Sequence, residues 1–262
     1  MKKKSFLIIF YFLFFISLFA DTGVENRFAS DQELLARLDS LVSYIDTDFS
    51  AQYTIRQQRP GQSLSTTVAG VFRRDIQEIY TIVIMQPLIS RGQGYIKEGD
   101  TLWFYDPDSR QFNTTSSANR FQNTNARNSD FTRSTLAEDY RVIDAEDAIL
   151  GRFTCRLLTL EAVTTEVSYP RMKVWICEDG LLRKSEDYSL SWQLLRTSAV
   201  NDYYNINGRF VPRQILFEDA LRGAVINGRF VNERTQIDIS MPSFERLSDS
   251  TFSKAFLESV NR

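Results

Sequence analysis

The chain has 262 residues, 43% of them hydrophobic, with 31 Lys and Arg against 33 Asp and Glu and no histidine. A formal charge of −2 gives no reason to invoke nucleic acid. Without histidine there is no Ser-His-Asp or Cys-His nucleophile, and the commonest transition-metal ligand is missing.

Lys2, Lys3 and Lys4 precede an almost uninterrupted apolar run from Phe6 to Phe19, and Ala20 then meets the polar Asp21-Thr22-Gly23. That is the order of an export signal, and the run is shorter than the roughly 20 residues that span a bilayer. The sequence therefore predicts a signal peptide over 1–20, cleaved near Ala20, and a single domain over 21–262 outside the cytoplasm. Losing the three lysines moves the formal charge from −2 to −5. No Cys follows the run, so no lipid anchor is expected on the protein itself.

Ser30-Asp31-Gln32-Glu33 reads as a capping box. Leu34, Leu35, Leu38, Leu41, Val42 and Ile45 then recur at helical spacing, predicting an amphipathic helix over 31–45. From Phe49 the period shortens to two. Strands are expected at 51–56, 65–73, 76–85, 94–97 and 101–105, with Asp106-Pro107-Asp108-Ser109 supplying turn chemistry after the last. Residues 50–114 thus read as an antiparallel meander. Residues 113–130 form a polar stretch without periodicity, open to reading as a mobile flap or as a plain surface excursion. A short helical stretch follows at 131–140.

The second half predicts strands at 152–161, 170–177, 181–189, 192–205, 209–218 and 224–240. Asn207-Gly208 and Asn227-Gly228 are hairpin dipeptides, and Pro212 marks an edge or a bulge. A short helix over 249–260 carries Phe252, Phe256 and Val260 on one face. Cys155 and Cys177 stand opposite each other in a hairpin centred at Glu166, which permits a disulfide; two buried free thiols are the alternative. Asp144, Glu146 and Asp147, and likewise Glu186 and Asp187, lie in polar stretches that read as solvated turns. No metal-binding or cofactor motif is present. The pattern describes one large antiparallel sheet that must curl or close, with helices enough to cover one face.

Several strings occur in an order that resembles the LolA-like, outer-membrane lipoprotein-sorting proteins: Trp103-Phe104-Tyr105-Asp106-Pro107, Asn128-Ser129-Asp130-Phe131, Gly151 before a strand, Tyr169-Pro170-Arg171-Met172-Lys173-Val174-Trp175, and Phe210-Val211-Pro212. The likeness spans about 30–260. It implies a mainly β fold with a few helices: an incomplete, strongly curved antiparallel barrel of about eleven strands, covered on its concave face by helices. It also implies a monomeric periplasmic carrier, with no cofactor and no enzymatic activity, that binds the acyl chains of lipoproteins. Such a carrier takes its cargo from an inner-membrane exporter toward an outer-membrane acceptor. The alternative within the same likeness is an accessory protein holding a free lipid or other hydrophobic molecule for an exporter.

The cavity candidates are Leu34, Leu38, Leu41, Ile82, Ile84, Leu102, Trp103, Phe104 and Tyr105. Both faces of 82–85 and of 102–105 are apolar, so alternation leaves the cavity-lining face open. The helix 31–45 and the segment 115–140 are the expected lid, with Asn128, Asp130 and Phe131 on its loop. Asn128 stands where the related proteins tend to have Gly. Arg73 and Arg74 lie in the region of the arginine that governs lid closure in the best-known carriers, but that role is not transferred to either.

Overall fold

A computed structural model gives the fold over residues 22–260; the expected signal peptide lies outside the described residues. Helix α1 (Thr22–Val42) runs straight through Ser30, so the capping-box sequence does not begin it. No proline stands between 22 and 30 to stop the helix earlier. It ends at Val42, which leaves Ile45 beyond the helix and exposed.

The first meander consists of β1 (Phe49–Gln58), β2 (Ser65–Arg74), β3 (Ile79–Gln86), β4 (Gly94–Glu98), β5 (Thr101–Asp106) and β6 (Gln111–Thr115). Ile76, expected on a strand, sits exposed in the β2–β3 turn. Helix α2 is a single turn, Leu136–Asp139. It leads into β7 (Tyr140–Leu150), where solvated turns were expected around Asp144, Glu146 and Asp147. As an edge strand, β7 can point those carboxylates to water, and charge on an edge discourages further pairing.

Next come β8 (Phe153–Ala162), β9 (Arg171–Cys177), β10 (Leu182–Tyr188) and β11 (Leu194–Val200). The hairpin β12 (Tyr203–Ile206) and β13 (Arg209–Pro212) forms a two-stranded sheet of its own. The long pair β14 (Gln214–Ile226) and β15 (Arg229–Ser243) follows, and α3 (Lys254–Ser259) ends the described chain.

The main sheet is antiparallel, in the order β6-β5-β4-β3-β2-β1-β15-β14-β11-β10-β9-β8-β7. It has thirteen strands where about eleven were expected, because β7 was read as turns and β6 was not set apart as a strand; the pieces that break off 192–205 and 209–218, β12 and β13, form the separate hairpin. The sheet is curved and does not close: β6 and β7 each have one neighbour. Register shifts in β1–β15, β2–β3, β9–β10, β10–β11 and β14–β15 supply the local bends that curvature requires.

Alternation sorts the first meander cleanly. Tyr80, Ile82, Ile84, Tyr95, Leu102 and Phe104 face one core, while Val83, Ile96, Trp103 and Tyr105 face the other and pack with Phe256 and Leu257 of α3. Leu35 and Leu38 of α1 pack on Leu158, Leu160, Val174 and Ile176 of β8 and β9. Helices α1 and α3 therefore lie on opposite faces of the sheet, rather than together on one. Gly94 marks how tightly α3 sits: an added Cβ would stand 2.5 Å from Leu257 Cδ2 and 2.8 Å from the Ile82 carbonyl oxygen. Gly94→Ala is expected to cost about 1–3 kcal/mol, measured as a shift of the urea unfolding midpoint at unchanged slope.

Cys155 and Cys177 are register partners in β8 and β9 and form a disulfide. The Glu178 amide donates to the Thr154 carbonyl, so the cysteines occupy the non-hydrogen-bonded position beside that bond.

Candidate functional site

The segment 116–135 does not lie on the surface as a polar loop. It turns inward, burying Phe121, Thr124, Asn125, Ala126, Asn128 and Phe131. Phe121 and Phe131 stack 4.4 Å apart between centroids, with Tyr95 against the first and Tyr53 against the second. This aromatic plug fills the trough over β3, β4 and β5.

Beyond the plug an open cavity of about 570 Å³ remains. Its walls come from α1 (Leu38, Val42), the sheet (Phe49, Tyr53, Tyr80, Phe217, Ile239), the β12–β13 hairpin (Tyr203, Val211) and the α2 region (Leu136). The hairpin is held there by the Tyr44 hydroxyl, which donates to the Phe210 carbonyl at 2.8 Å. Burial pushes the Tyr53 hydroxyl up to about 12 and moves Tyr44, Tyr80 and Tyr203 higher as well, so all four stay neutral at ordinary pH.

Two buried ion-pair groups interrupt the apolar wall. Arg73 donates to both oxygens of Asp75, at 2.9 and 2.6 Å, and the Tyr44 amide donates to the same carboxylate at 2.8 Å. The Arg73 guanidinium lies over the rings of Tyr44 and Phe49. The neighbouring Arg74 points to the other face, where it binds Asp48 and Asp249.

In the second group Arg196 Nε donates to Asp187 at 2.7 Å, while Nη1 and Nη2 grip Asp130 of the plug at 2.6 and 3.0 Å. Tyr169 and Phe217 pack their rings on its guanidinium. Burial raises the Asp187 carboxyl above its ordinary range, against the pull of Arg196. Burial likewise opposes the charge of Arg196, but Asp130 and Asp187 outweigh it and hold the guanidinium firmly protonated. Glu186 and Asp187 thus belong to a strand, β10, and Asp187 is wholly buried instead of sitting in a solvated turn. Ser185 and Ser198, paired across β10 and β11, also line the cavity. Among the described residues no group of His, Cys, Asp and Glu is placed to hold a metal ion.

A model of a family of uncharacterized proteins matches residues 77–259. The fold is similar to that of a LolA superfamily protein from Nitrosomonas europaea, at 25% identity and a TM-score of 0.71, covering 86% of this chain and 98% of that one. The chain belongs to the LolA-like family. A DUF1329 family protein from Desulfovibrio piger shares the fold at 19% identity and TM-score 0.74, covering 88% of this chain and 98% of that one. A domain assigned to outer membrane lipoprotein sorting, from Vibrio parahaemolyticus, shares it at 17% identity and TM-score 0.74, covering 87% and 97%. No curated protein matches the sequence.

In this LolA-like chain the expected cavity residues separate. Leu38 lines the open cavity. Leu34 is half-buried against the β7–β9 side, and Leu41 lies beside the turn at Gly180. Ile82, Ile84, Leu102 and Phe104 face the trough but belong to the core that includes the plug. Trp103 and Tyr105 do not face the trough at all: Tyr105 shares the α3-side core, and Lys254 of α3 stands 3.6 Å over the Trp103 ring. Of the loop residues, Asp130 lines the cavity while Asn128 and Phe131 are buried in the plug. The sequence reading missed Tyr44, Asp75, Tyr80, Arg196 and Phe217 as wall residues and assigned no role to Arg73.

Proposed function

We propose that this protein is a periplasmic carrier that shelters the acyl chains of a lipoprotein in the cavity beneath α1 and passes them toward the outer membrane. The observation that carries this reading is the cavity itself: about 570 Å³, with Leu, Val, Phe, Tyr and Ile side chains from α1, the sheet and the β12–β13 hairpin in its wall, interspersed with polar and charged ones. That volume falls in the roughly 300–1,000 Å³ range of small-molecule sites, and each methylene buried there contributes about 0.8 kcal/mol. The reading takes the trough face as the concave one, with α1 and the plug as its cover. It has residues 1–20 removed on export, 21–262 acting as one domain, an inner-membrane exporter and an outer-membrane acceptor as partners, and no catalytic step.

A carrier must also release its cargo. Helix α1 is held by Leu35 and Leu38 on β8 and β9, by Asp31 accepting from Arg156, and by Asp39 accepting from Ser134 Oγ at 2.5 Å and from the Ala137 amide at 2.8 Å. Such contacts can open locally without unfolding the sheet.

Native mass spectrometry of the gently purified protein, with organic extraction, tests the reading. A co-purifying acylated protein supports it; a free lipid moves the assignment to an accessory of a lipid exporter; an empty protein that ignores fluorescent acyl probes refutes both. Val42→Asp places a carboxylate in the half-buried wall and is expected to weaken acyl-probe binding by about tenfold or more, with circular dichroism unchanged.

A further inference from the structure

The hairpin of β14 and β15 outruns the sheet. The last recorded pairing of β1 with β15 is Gln58 with Arg234, and that of β11 with β14 is Arg196 with Asp219. From Gly223 to Asn232 the two strands pair only with each other, around an Asn227-Gly228 turn at positive φ. Gly223 sits at the root, beside the register shift, where any Cβ would overlap the Val231 carbonyl oxygen.

This free arm is apolar on both faces. Val225 is paired with Phe230 on one face, and Ala224 with Val231 on the other beside Ile226. Val225 is 67% exposed and Phe230 55%. A two-stranded ribbon has no sheet behind it to bury either face, so these side chains are not core residues turned outward.

The arm has company. Ile226 reaches the β1–β2 turn at Gly61, and the register of β2 with β3 puts the β3–β4 turn, with the highly exposed Leu88 and Ile89, at the same end of the sheet. The segments 59–64, 87–92 and 220–231 contain Arg59, Arg91, Arg222 and Arg229 and no carboxylate, in a chain that is acidic overall. Arg59 and Arg222 share Glu233, while Arg91 and Arg229 have no ion pair among the described residues.

We infer that this end of the sheet is a docking surface for an anionic lipid bilayer, with the β14–β15 arm dipping its apolar side chains into the interface and the arginines meeting lipid phosphates. The charge favours this occupant: arginine beside exposed aliphatic and aromatic side chains is the composition that binds anionic interfaces. The shape favours it too, because tips on separate turns suit a fluid apolar phase better than the shaped groove of a protein. The inference does not rest on the carrier reading, since the arm is absent from the cavity walls.

The test is flotation of the protein, as the cell processes it, with vesicles of phosphatidylglycerol and phosphatidylcholine or of phosphatidylcholine alone. The wild type is expected to float with the anionic vesicles, less so at high salt. Val225→Asp/Phe230→Asp is expected to reduce the bound fraction about tenfold or more, and Arg222→Gln/Arg229→Gln to remove the preference for anionic lipid. Circular dichroism and acyl-probe binding should be unchanged in both. A wild type that stays with neither vesicle, or a doubly substituted arm that floats as well as wild type, overturns the inference. So does a wild-type dimer that the arm substitutions dissolve without any vesicle binding, which would assign the arm to a second copy of the chain.

Discussion

Replacing Arg196 with Ala is expected to destabilise the protein by about 3–5 kcal/mol, seen as a large fall in the urea unfolding midpoint. The guanidinium is the shared partner of Asp187 and Asp130, and it is buried together with them. Without it Asp187, wholly inaccessible, keeps no ion-pair partner among the described residues, and the second oxygen of that carboxylate already lacks a hydrogen bond among them. The plug also loses its tie to β11, because Asp130 would then keep only the Arg127 amide as a recorded donor. Arg196→Lys restores the charge but not the three-pronged grip, and should recover only part of the loss. The partner change Asp187→Asn should cost less, because Arg196 keeps Asp130 as its partner and burial already opposes the charge that the amide removes. A group with a raised folded pKa favours folding at low pH. Its contribution is full below the ordinary carboxylate value and fades as pH climbs through the folded one. If Arg196→Ala unfolds at the wild-type midpoint, the cluster is not holding the plug.

That cluster also shows where the sequence was readable and where it was not. The opposed cysteines came from hairpin symmetry about Glu166, but the same construction about the 189–193 turn opposes Asp187 to Leu195, whereas a register shift between Asp187 and Tyr188 pairs Asp187 with Arg196 and Ser185 with Ser198. The shift and the polarity together hid the pair, since a buried carboxylate and a solvated one look alike until the partner is known. Segment 113–130 is the larger case. Its Asn, Thr and Asp residues read as surface because their partners are distant: Arg196 for Asp130, and Thr235 Oγ1 for the Asn125 amide. No local period reports such bonds.

The first meander was legible for the opposite reason. Its alternation and its Asp106-Pro107 turn are local, and β1, β2, β4 and β5 lie close to their expected places. Even so, only the structure could choose a face for Leu102 to Tyr105, because both faces are covered, one by the plug and one by α3. The cavity was legible as an expectation from family likeness, whereas its walls are assembled from α1, the hairpin β12–β13 and strands from both halves of the chain.

Removing the Cys155–Cys177 bridge, by Cys155→Ser/Cys177→Ser, is expected to cost about 3 kcal/mol. The bridge closes a loop of 22 residues, so its loss releases unfolded-state entropy that the hydrogen bonds of β8 and β9 do not restrain. Its place in the fold adds a functional consequence. Leu158 and Leu160 on β8, and Val174 and Ile176 on β9, are the surface on which Leu35 and Leu38 of α1 rest. A looser β8–β9 pair would therefore loosen α1 before it disturbs the β1–β6 meander, which shares no residue with that contact. Hydrogen exchange on the reduced or doubly substituted protein should show faster exchange in α1, β8 and β9, with β2 to β5 nearly unchanged. Uniform acceleration across the sheet would mean that the two halves unfold as one unit. Acyl-probe affinity adds a second readout: a cover weakened on its β8–β9 side should exchange ligand faster in both directions, with a smaller change in the equilibrium constant.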